Sequence, residues 1–350
     1  MSLSFIKVLN FRNIEQLELG NFERLNILLG PNGSGKTNFL ESLFLLCSGT
    51  SFRNVQWKDL VKWGKDSFYI GGIVFESKKE IGYSFDKKIL KIDNKAIDFG
   101  NFFVDTPAIV FLPEDIQIVT GTPDERRNFI DQALCLIDME YEENLKRYHR
   151  VLRQRNAQLK QSQSEVFIWN KEFIETGSRI IEKRLNFVQN IGKIIQKIYS
   201  DFYEEEIVLR YLNTFKIEHS IEDSFRGALE RSAGLEKEKK FTLIGPHRDC
   251  YEVLYFNKNA RVSLSQGQKR ALALAFKWSL MEIMENLFKK KPILLLDDVL
   301  LEIDSIRRKK FIEKSIHYQV FLTLTSKEIV KGMVDFHSTF AVDDGIIKKE

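Results

Sequence analysis

Gly30-Pro31-Asn32-Gly33-Ser34-Gly35-Lys36-Thr37 is the segment best suited to chemistry. It fits the pattern GxxxxGK[ST], in which glycines let backbone N–H groups turn inward around phosphate oxygens. Lys36 would reach the β and γ phosphates of a nucleoside triphosphate, and the Thr37 hydroxyl would ligate Mg²⁺. A ligand-free Gly-rich turn is the plainer alternative. The flanks argue against it: the apolar run RLNILLG precedes the loop, and Phe39, Leu40, Leu43, Phe44 and Leu46 follow at helical spacing beyond Asn38. Strand, loop and helix are the context this chemistry needs.

A second candidate is Pro292 to Asp298, PILLLDD, an apolar strand ending in two carboxylates. Alone it reads as a core strand with an acidic tip. Paired with Lys36 it reads as a Walker B element. Asp297 would hold Mg²⁺, and Asp298 would polarise the attacking water. The short Asp298 side chain suits slow turnover.

The third element is LSQGQKR, with Ser265, Gln266, Gly267 and Gln268, followed by the apolar ALALAFKWSL. Read plainly, it is a Ser-capped helix. Read with the other two elements in this order, it resembles the signature motif of ABC-type ATPases, a second helix N-terminus able to approach an anion. In such ATPases the signature faces the nucleotide of another copy. Asp304, just past the Walker B element, stands where the D-loop aspartate of that class lies.

The elements that must position these motifs are legible in outline. Residues 3–30 read as strands, and residues 67–110 as a hairpin or meander. No proline occurs after Pro123 until beyond Tyr203. Apolar residues there recur at helical spacing, which predicts two or three long helices with a turn in the polar stretch Gln154 to Glu165. Strands are expected at EIVLRYLN, FTLIG and YEVLYF. A helix over Gln266 to Phe288, the strand PILLLDD, a short helix and the strand QVFLTLT then follow. The predicted fold class is α/β: an ABC-type P-loop ATPase head, a mixed sheet with flanking helices, carrying an inserted long-helix arm. The head would comprise 1–120 and 241–350, and the arm 121–240.

Composition bounds the partners. The 350 residues carry 53 Lys and Arg against 49 Asp and Glu, a formal charge of +4, so any nucleic-acid contact must be local. Lys146, Arg147, Arg150, Arg153, Arg155 and Lys160 against Glu142 and Glu143 make such a local surplus, although a charge run is often only a solvated face. Cys47, Cys135 and Cys250 are too scattered for a disulfide framework or a zinc site. MSLSFIKVLNFRN does not read as a signal peptide, and no apolar run is long enough to span a bilayer. A cytoplasmic protein is expected.

With the three motifs in place, nearly the whole chain resembles the RecF family, recombination mediators of the SMC-like ABC class. FRNIEQLEL, NILLGPNGSGKTNFLESLFLLCSGTSFR, FLPEDIQIVTGTPDERRNFID, LIGPHRDC, LSQGQKRALALAFKWS and PILLLDDVLLEID carry the likeness. Cys250 departs from it, standing where a second Asp is usual, as does Leu301, where Ser or Gly is usual. The resemblance implies an ATP-dependent DNA-binding protein of recombinational repair and replication, using ATP and Mg²⁺ as a weak, DNA-dependent ATPase. Two copies would sandwich two ATP molecules, each phosphate loop facing Ser265, Gln266, Gly267, Gln268 and Asp304 of the other copy. The dimer would bind DNA at gaps and assist RecA loading with RecO and RecR, supporting SOS induction. Gln117 is a candidate Q-loop metal contact. Lys146, Arg147, Arg150 and Arg153, with Arg155, are candidate DNA contacts on the arm. The alternative is another ABC-class ATPase such as a transporter nucleotide-binding subunit, which would lack so long an arm. A small-molecule P-loop kinase would leave LSQGQ without purpose. A structural protein that ignores nucleotide would not need Lys36, Asp297 and Ser265.

Overall fold

The alternation of LSFIKVLNF buries Leu3, Ile6, Val8 and Phe11 and turns the intervening residues outward, as a half-buried strand requires. A computed structural model describes residues 2–350 except 54, 86, 99–101, 103–105, 162–165 and 331–336. The chain divides into two units, residues 1–115 with 281–350, and residues 116–280.

The first unit holds two sheets. β1 (Leu3–Phe11), β2 (Ile14–Gly20), β4 (Ser67–Val74), β5 (Ser77–Ser84), β6 (Lys87–Ile92) and β7 (Lys95–Ala96) form an antiparallel sheet in the order β2-β1-β4-β5-β6-β7. The other sheet runs β15-β14-β3-β13-β12-β8, from β3 (Leu25–Leu29), β8 (Ala108–Phe111), β12 (Ile293–Leu296), β13 (Gln319–Leu324), β14 (Ser338–Asp343) and β15 (Ile346–Lys349). All its pairings are parallel except the terminal β14–β15 hairpin. β12 and β13 are buried throughout, as parallel strands covered on both faces are. Helix α1 (Lys36–Ser48) packs Phe39, Leu40, Leu43 and Leu46 into a core to which both sheets contribute.

In the second sheet β13 lies between β3 and β12, with Leu29 opposite Leu324 and Leu296 opposite Leu322. The segments after β3 and β12 therefore leave one edge as near neighbours. Ligands bind at the carboxyl ends of such parallel strands.

The second unit is built on α2 (Pro123–Ile137), α3 (Met139–Lys160) and α4 (Phe167–Phe202). A reciprocal pair of bonds between Thr122 and Glu125 caps α2, with proline at its first position. Along α4, Phe173, Ile174, Ile180, Ile181, Val188, Ile191, Ile195 and Ile198 form one continuous buried stripe. β9 (Ile207–Leu212), β10 (Cys250–Tyr255) and β11 (Lys258–Asn259) form a small antiparallel sheet in the order β11-β10-β9. Helices α5 (Ile221–Lys239) and α6 (Gln266–Phe288) complete the unit, the division falling within α6.

Several expectations change. FTLIG is not a strand. The Thr242 N–H donates to Asn156 Oδ1 at 2.8 Å, the Leu243 N–H donates to Glu236 Oε1 at 2.8 Å, and Gly245 has φ +131. Side chains satisfy the donors a neighbouring strand would have taken. Helix α3 runs on to Lys160, through most of the stretch read as a turn, and residues 162–165 of that stretch lie outside the described residues. Helix α5 and the β14–β15 hairpin were not foreseen, although Ser220 caps α5 by accepting the Asp223 N–H at 3.0 Å. Residues 241–280, expected with the head, group with residues 116–240.

Candidate functional site

The phosphate-binding loop is set by its flanks. The Gly30 N–H reaches Leu324 O at 3.2 Å, which holds the start of the loop on β13. A Cβ at Gly30 would lie 2.1 Å from Val342 O, so only glycine fits. Gly33 and Gly35 take φ +82 and +107, the left-handed region glycine occupies without penalty. Around Gly33 a Cβ would meet nothing within 4 Å, and Ser34 Oγ is buried with no hydrogen-bond partner among the described residues. Space and an orphaned donor at the mouth of a helix N-terminus fit a phosphate group. Pro31 and Asn32 are exposed beside it, and Lys36, a buried residue, folds its ammonium onto Gly30 O at 2.7 Å and Pro31 O at 2.9 Å.

The β1–β2 turn clamps the loop from outside. Asn13 Nδ2 donates to Ser34 O at 3.3 Å, and Asn13 Oδ1 accepts from Asn38 Nδ2 at 2.8 Å. Asn38 Oδ1 in turn accepts from Arg53 at 2.9 Å. Both amide atoms of Asn38 are thus bonded within the frame around the loop. Beneath lies Glu41, fully buried, which binds Arg12, Arg53 and the Ser51 hydroxyl. Glu41 was not singled out from sequence. A carboxylate on the apolar face of α1, followed by SFR, was the available signal.

At the tip of β12 the two carboxylates share Thr323. Thr323 Oγ1 donates to Asp297 Oδ1 at 2.8 Å and accepts the Asp298 N–H at 2.8 Å. Asp298 sits at φ 49, a turn that lets the second carboxylate diverge from the first. Burial pushes the Asp297 carboxyl above its ordinary value, while hydrogen bonds from Thr37 and Thr323 oppose that shift. A buried carboxylate beside the Thr37 hydroxyl is a pair of oxygens that would hold Mg²⁺. The structure therefore brings Lys36, Thr37, Asp297 and Asp298 to one strand edge. Thr323 is the residue sequence reasoning missed; a threonine inside an all-apolar strand, FLTL, was its only trace. Asp304 lies farther on, exposed, capping helix α7 (Ser305–Ser315) and paired with Arg307 at 2.6 Å.

In the second unit Ser265, Gln266 and Gly267 are exposed at the start of α6. Ser265 Oγ accepts the Gln268 N–H at 3.3 Å, and Gln268 Oε1 accepts the Ser265 N–H at 2.8 Å, a reciprocal cap. Gln117 opens a helical turn, Gln117–Thr120, and is exposed.

The GPHRD segment is structural in its interior. His247 Nδ1 lies 2.7 Å from Tyr148 Oη. Asp249 accepts the Thr214 N–H at 2.8 Å and the Tyr211 hydroxyl at 3.0 Å, and Pro246 O accepts from Arg184 at 2.6 Å. Burial drives His247 down to about 4 and raises Asp249. Of His247, Arg248 and Asp249, Arg248 alone is exposed, over the Phe241 ring. Cys250 starts β10, with its thiol donating to Tyr251 O at 3.3 Å.

The basic face of α3 is only partly as expected. Arg155 is 2% exposed and forms a buried ion pair with Glu236 at 2.5 Å, with further bonds to Thr242 and Asn170. It is not available to DNA, because it is on the stripe that packs against α4 and α5. Lys146 and Arg147 are exposed but paired, with Glu142 at 2.6 Å and Glu172 at 2.5 Å. Arg150 and Arg153 are exposed with no ion pair among the described residues.

Comparisons with known proteins show the family and the fold. Residues 2–348 match the family model for the RecF/RecN/SMC N terminal domain. The DNA replication and repair protein RecF of Caldanaerobacter subterraneus subsp. tengcongensis is 34% identical, over all of both chains. That of Geotalea uraniireducens is 36% identical over 99% of each. A solved structure of the recombination mediator protein RecF–ATPrS in the RecFOR pathway superposes with TM-score 0.90 at 33% identity, covering 99% of this chain and 97% of that one. An Smc head bound to the C-winged helix domain of ScpA, at TM-score 0.56 and 16% identity, shares the fold, covering 100% of this chain and 98% of that one. From its phosphate loop to its paired aspartates, and along its whole length, this chain belongs to the RecF family of DNA replication and repair proteins.

Proposed function

We propose that this protein is an ATP-dependent DNA-binding protein of recombinational repair and replication, working as a nucleotide-driven dimer in the RecFOR pathway. The observation that carries the reading is the meeting of Thr37 and Asp297, with Asp298 fixed beside them by Thr323. Backbone N–H groups of 32–35 and the Lys36 ammonium hold the ATP phosphates. Thr37 and Asp297 would hold Mg²⁺, which would supply neutralisation of phosphate charge, with Gln117 a further candidate contact. Asp298 accepts a hydrogen bond from the attacking water. One aspartate and no longer carboxylate at this position favours a weak ATPase, in which hydrolysis acts as a switch.

Ser265, Gln266, Gly267, Gln268 and Asp304 complete the site from the other copy. Such an interface is self-complementary, so two copies close the assembly around two ATP molecules. Exposed Arg150 and Arg153, with Lys146 and Arg147, supply phosphate contacts on the arm, and dimerisation joins two such patches. DNA gaps, RecO, RecR and RecA loading, with support of SOS induction in the cytoplasm, complete the reading. RecFOR membership of the structural relatives supports that part. Among the described residues no helix is long and apolar enough to cross a membrane. The 36-residue α4 is unlike the compact helical subdomain a transporter nucleotide-binding subunit would need.

The deciding experiment is mass in solution with and without a slowly hydrolysed ATP analogue, on the native chain and on Ser265→Arg. A nucleotide-driven doubling of mass, abolished by Ser265→Arg with ATP binding retained, is expected. A Ser265→Arg protein that dimerises normally overturns the sandwich.

A further inference from the structure

The segment just after the longest helix ends on the signature turn. α4 stops at Phe202, and Tyr203 Oη would lie 3.4 Å from a Cβ placed on Gly267. Two residues on, the Glu205 carboxylate accepts from Gln268 Nε2 at 2.8 Å. The Glu205 backbone is itself held by α4, because Gln196 Nε2 donates to Glu205 O at 3.4 Å and Gln196 Oε1 accepts the Ile207 N–H at 2.6 Å.

These bonds fix a direction. A carboxylate only accepts, so Gln268 must present its NH₂ to Glu205 and its oxygen to the Ser265 N–H. That is the orientation in which the reciprocal cap forms, with Gln268 N–H on Ser265 Oγ. Without Glu205 the amide could rotate, and its NH₂ would then face the Ser265 N–H, donor against donor. Gln196, Glu205, Gln268 and Ser265 thus form one chain of hydrogen bonds from the arm's longest helix to the exposed serine.

We propose that Glu205 is a positioning residue for the signature turn, and that through Gln196 it ties the geometry of Ser265 and Gly267 to the register of α4. This rests on the reading that Ser265 and Gly267 meet the nucleotide of a second copy. The arm and the nucleotide-bridged interface are then linked through a few side-chain bonds. Motion of α4 imposed by DNA would reach the signature by this route, and ATP-driven dimerisation would reach the arm by the same one.

The test uses the full chain and reads the ATP concentration giving half-maximal dimerisation, with nucleotide affinity of the dilute monomer measured alongside. Glu205→Ala is expected to raise that concentration roughly tenfold, the worth of one hydrogen bond to a charged group, with monomer affinity unchanged. Glu205→Gln should dimerise nearly as the native chain, because its amide oxygen accepts the same bond. Gln268→Glu sets two carboxylates face to face and should fail, while the double change Glu205→Gln with Gln268→Glu restores a donor–acceptor pair and should recover dimerisation. Recovery in the double variant separates positioning from a general loss of folding. Native-like dimerisation of Glu205→Ala, or a double variant no better than Gln268→Glu, overturns the proposal. Ser265→Arg run in parallel separates the two failures: if it also dimerises, the sandwich itself is wrong, and if it does not, only the role of Glu205 is.

Discussion

Arg12 grips Glu41 with two parallel bonds, Nε to Oε2 at 2.9 Å and Nη2 to Oε1 at 3.0 Å, beneath the phosphate-binding loop. The carboxylate is fully buried, and Arg53 and the Ser51 hydroxyl fill its remaining acceptor positions. Removing one partner of a buried pair leaves the others uncompensated. Glu41→Ala should therefore cost about 3–5 kcal/mol, and Glu41→Gln less, in urea unfolding followed by circular dichroism. A cost below about 1 kcal/mol for Glu41→Ala would mean the cluster is ornamental.

Lys36 and Asp298 should separate cleanly in kinetics. Lys36→Ala should lose ATP affinity, because the ammonium meets phosphate in the ground state. Asp298→Asn should bind ATP as before and hydrolyse it about 10²- to 10⁴-fold more slowly, remaining dimeric and holding DNA longer. Hydrolysis by Asp298→Asn at the native rate removes Asp298 from the mechanism.

Thr323→Val tests the bridge between the aspartates. Valine matches the shape but can neither donate to Asp297 nor accept from the Asp298 N–H. We expect a stability loss of about 1–3 kcal/mol from the unpaired N–H. Turnover should fall with little change in ATP affinity. An unchanged turnover number would show that β12 alone places both carboxylates.

His247 makes stability sensitive to acid. Its folded-state value is pushed down by burial to about 4, against an ordinary 6.5. Between those limits the unfolded chain binds a proton that the folded chain does not, so its contribution is complete above pH 6.5 and is lost as pH falls towards 4. At most about 3 kcal/mol is involved. Asp249 is raised and contributes with the opposite sign, so the clean measurement is a difference. Between pH 7 and 4 the native chain should lose more stability than His247→Gln. Parallel pH curves for the two would assign the acid sensitivity elsewhere.

On the arm, Arg150 and Arg153 lie three apart on one face of α3, exposed and without ion pairs among the described residues. Reversing both to Glu should weaken DNA binding uniformly across sequences and lower the slope of log affinity against log salt by about two. Reversing Lys146 and Arg147, already paired with Glu142 and Glu172, should do less. Equal and negligible effects in electrophoretic mobility shifts would move the DNA site off this helix.

Local sequence was enough for every element whose geometry is local. The phosphate loop, the apolar strand ending in Asp297 and Asp298, the Ser265 cap and the apolar stripe of α4 are written in residues a few positions apart, because turns, caps and periodicity act over that range. Tertiary structure decided what depends on residues far apart in the chain. Thr323 joins Asp297 to Asp298 only because β13 pairs with β12 in parallel register. Arg155 turns inward because Glu236, in a distant helix, receives it, whereas Arg153 on the same helix points to water. FTLIG fails as a strand because Asn156 and Glu236 take its backbone donors. A charge or a donor has the same letter wherever it points, and only long-range packing decides whether water, a ligand or another side chain answers it.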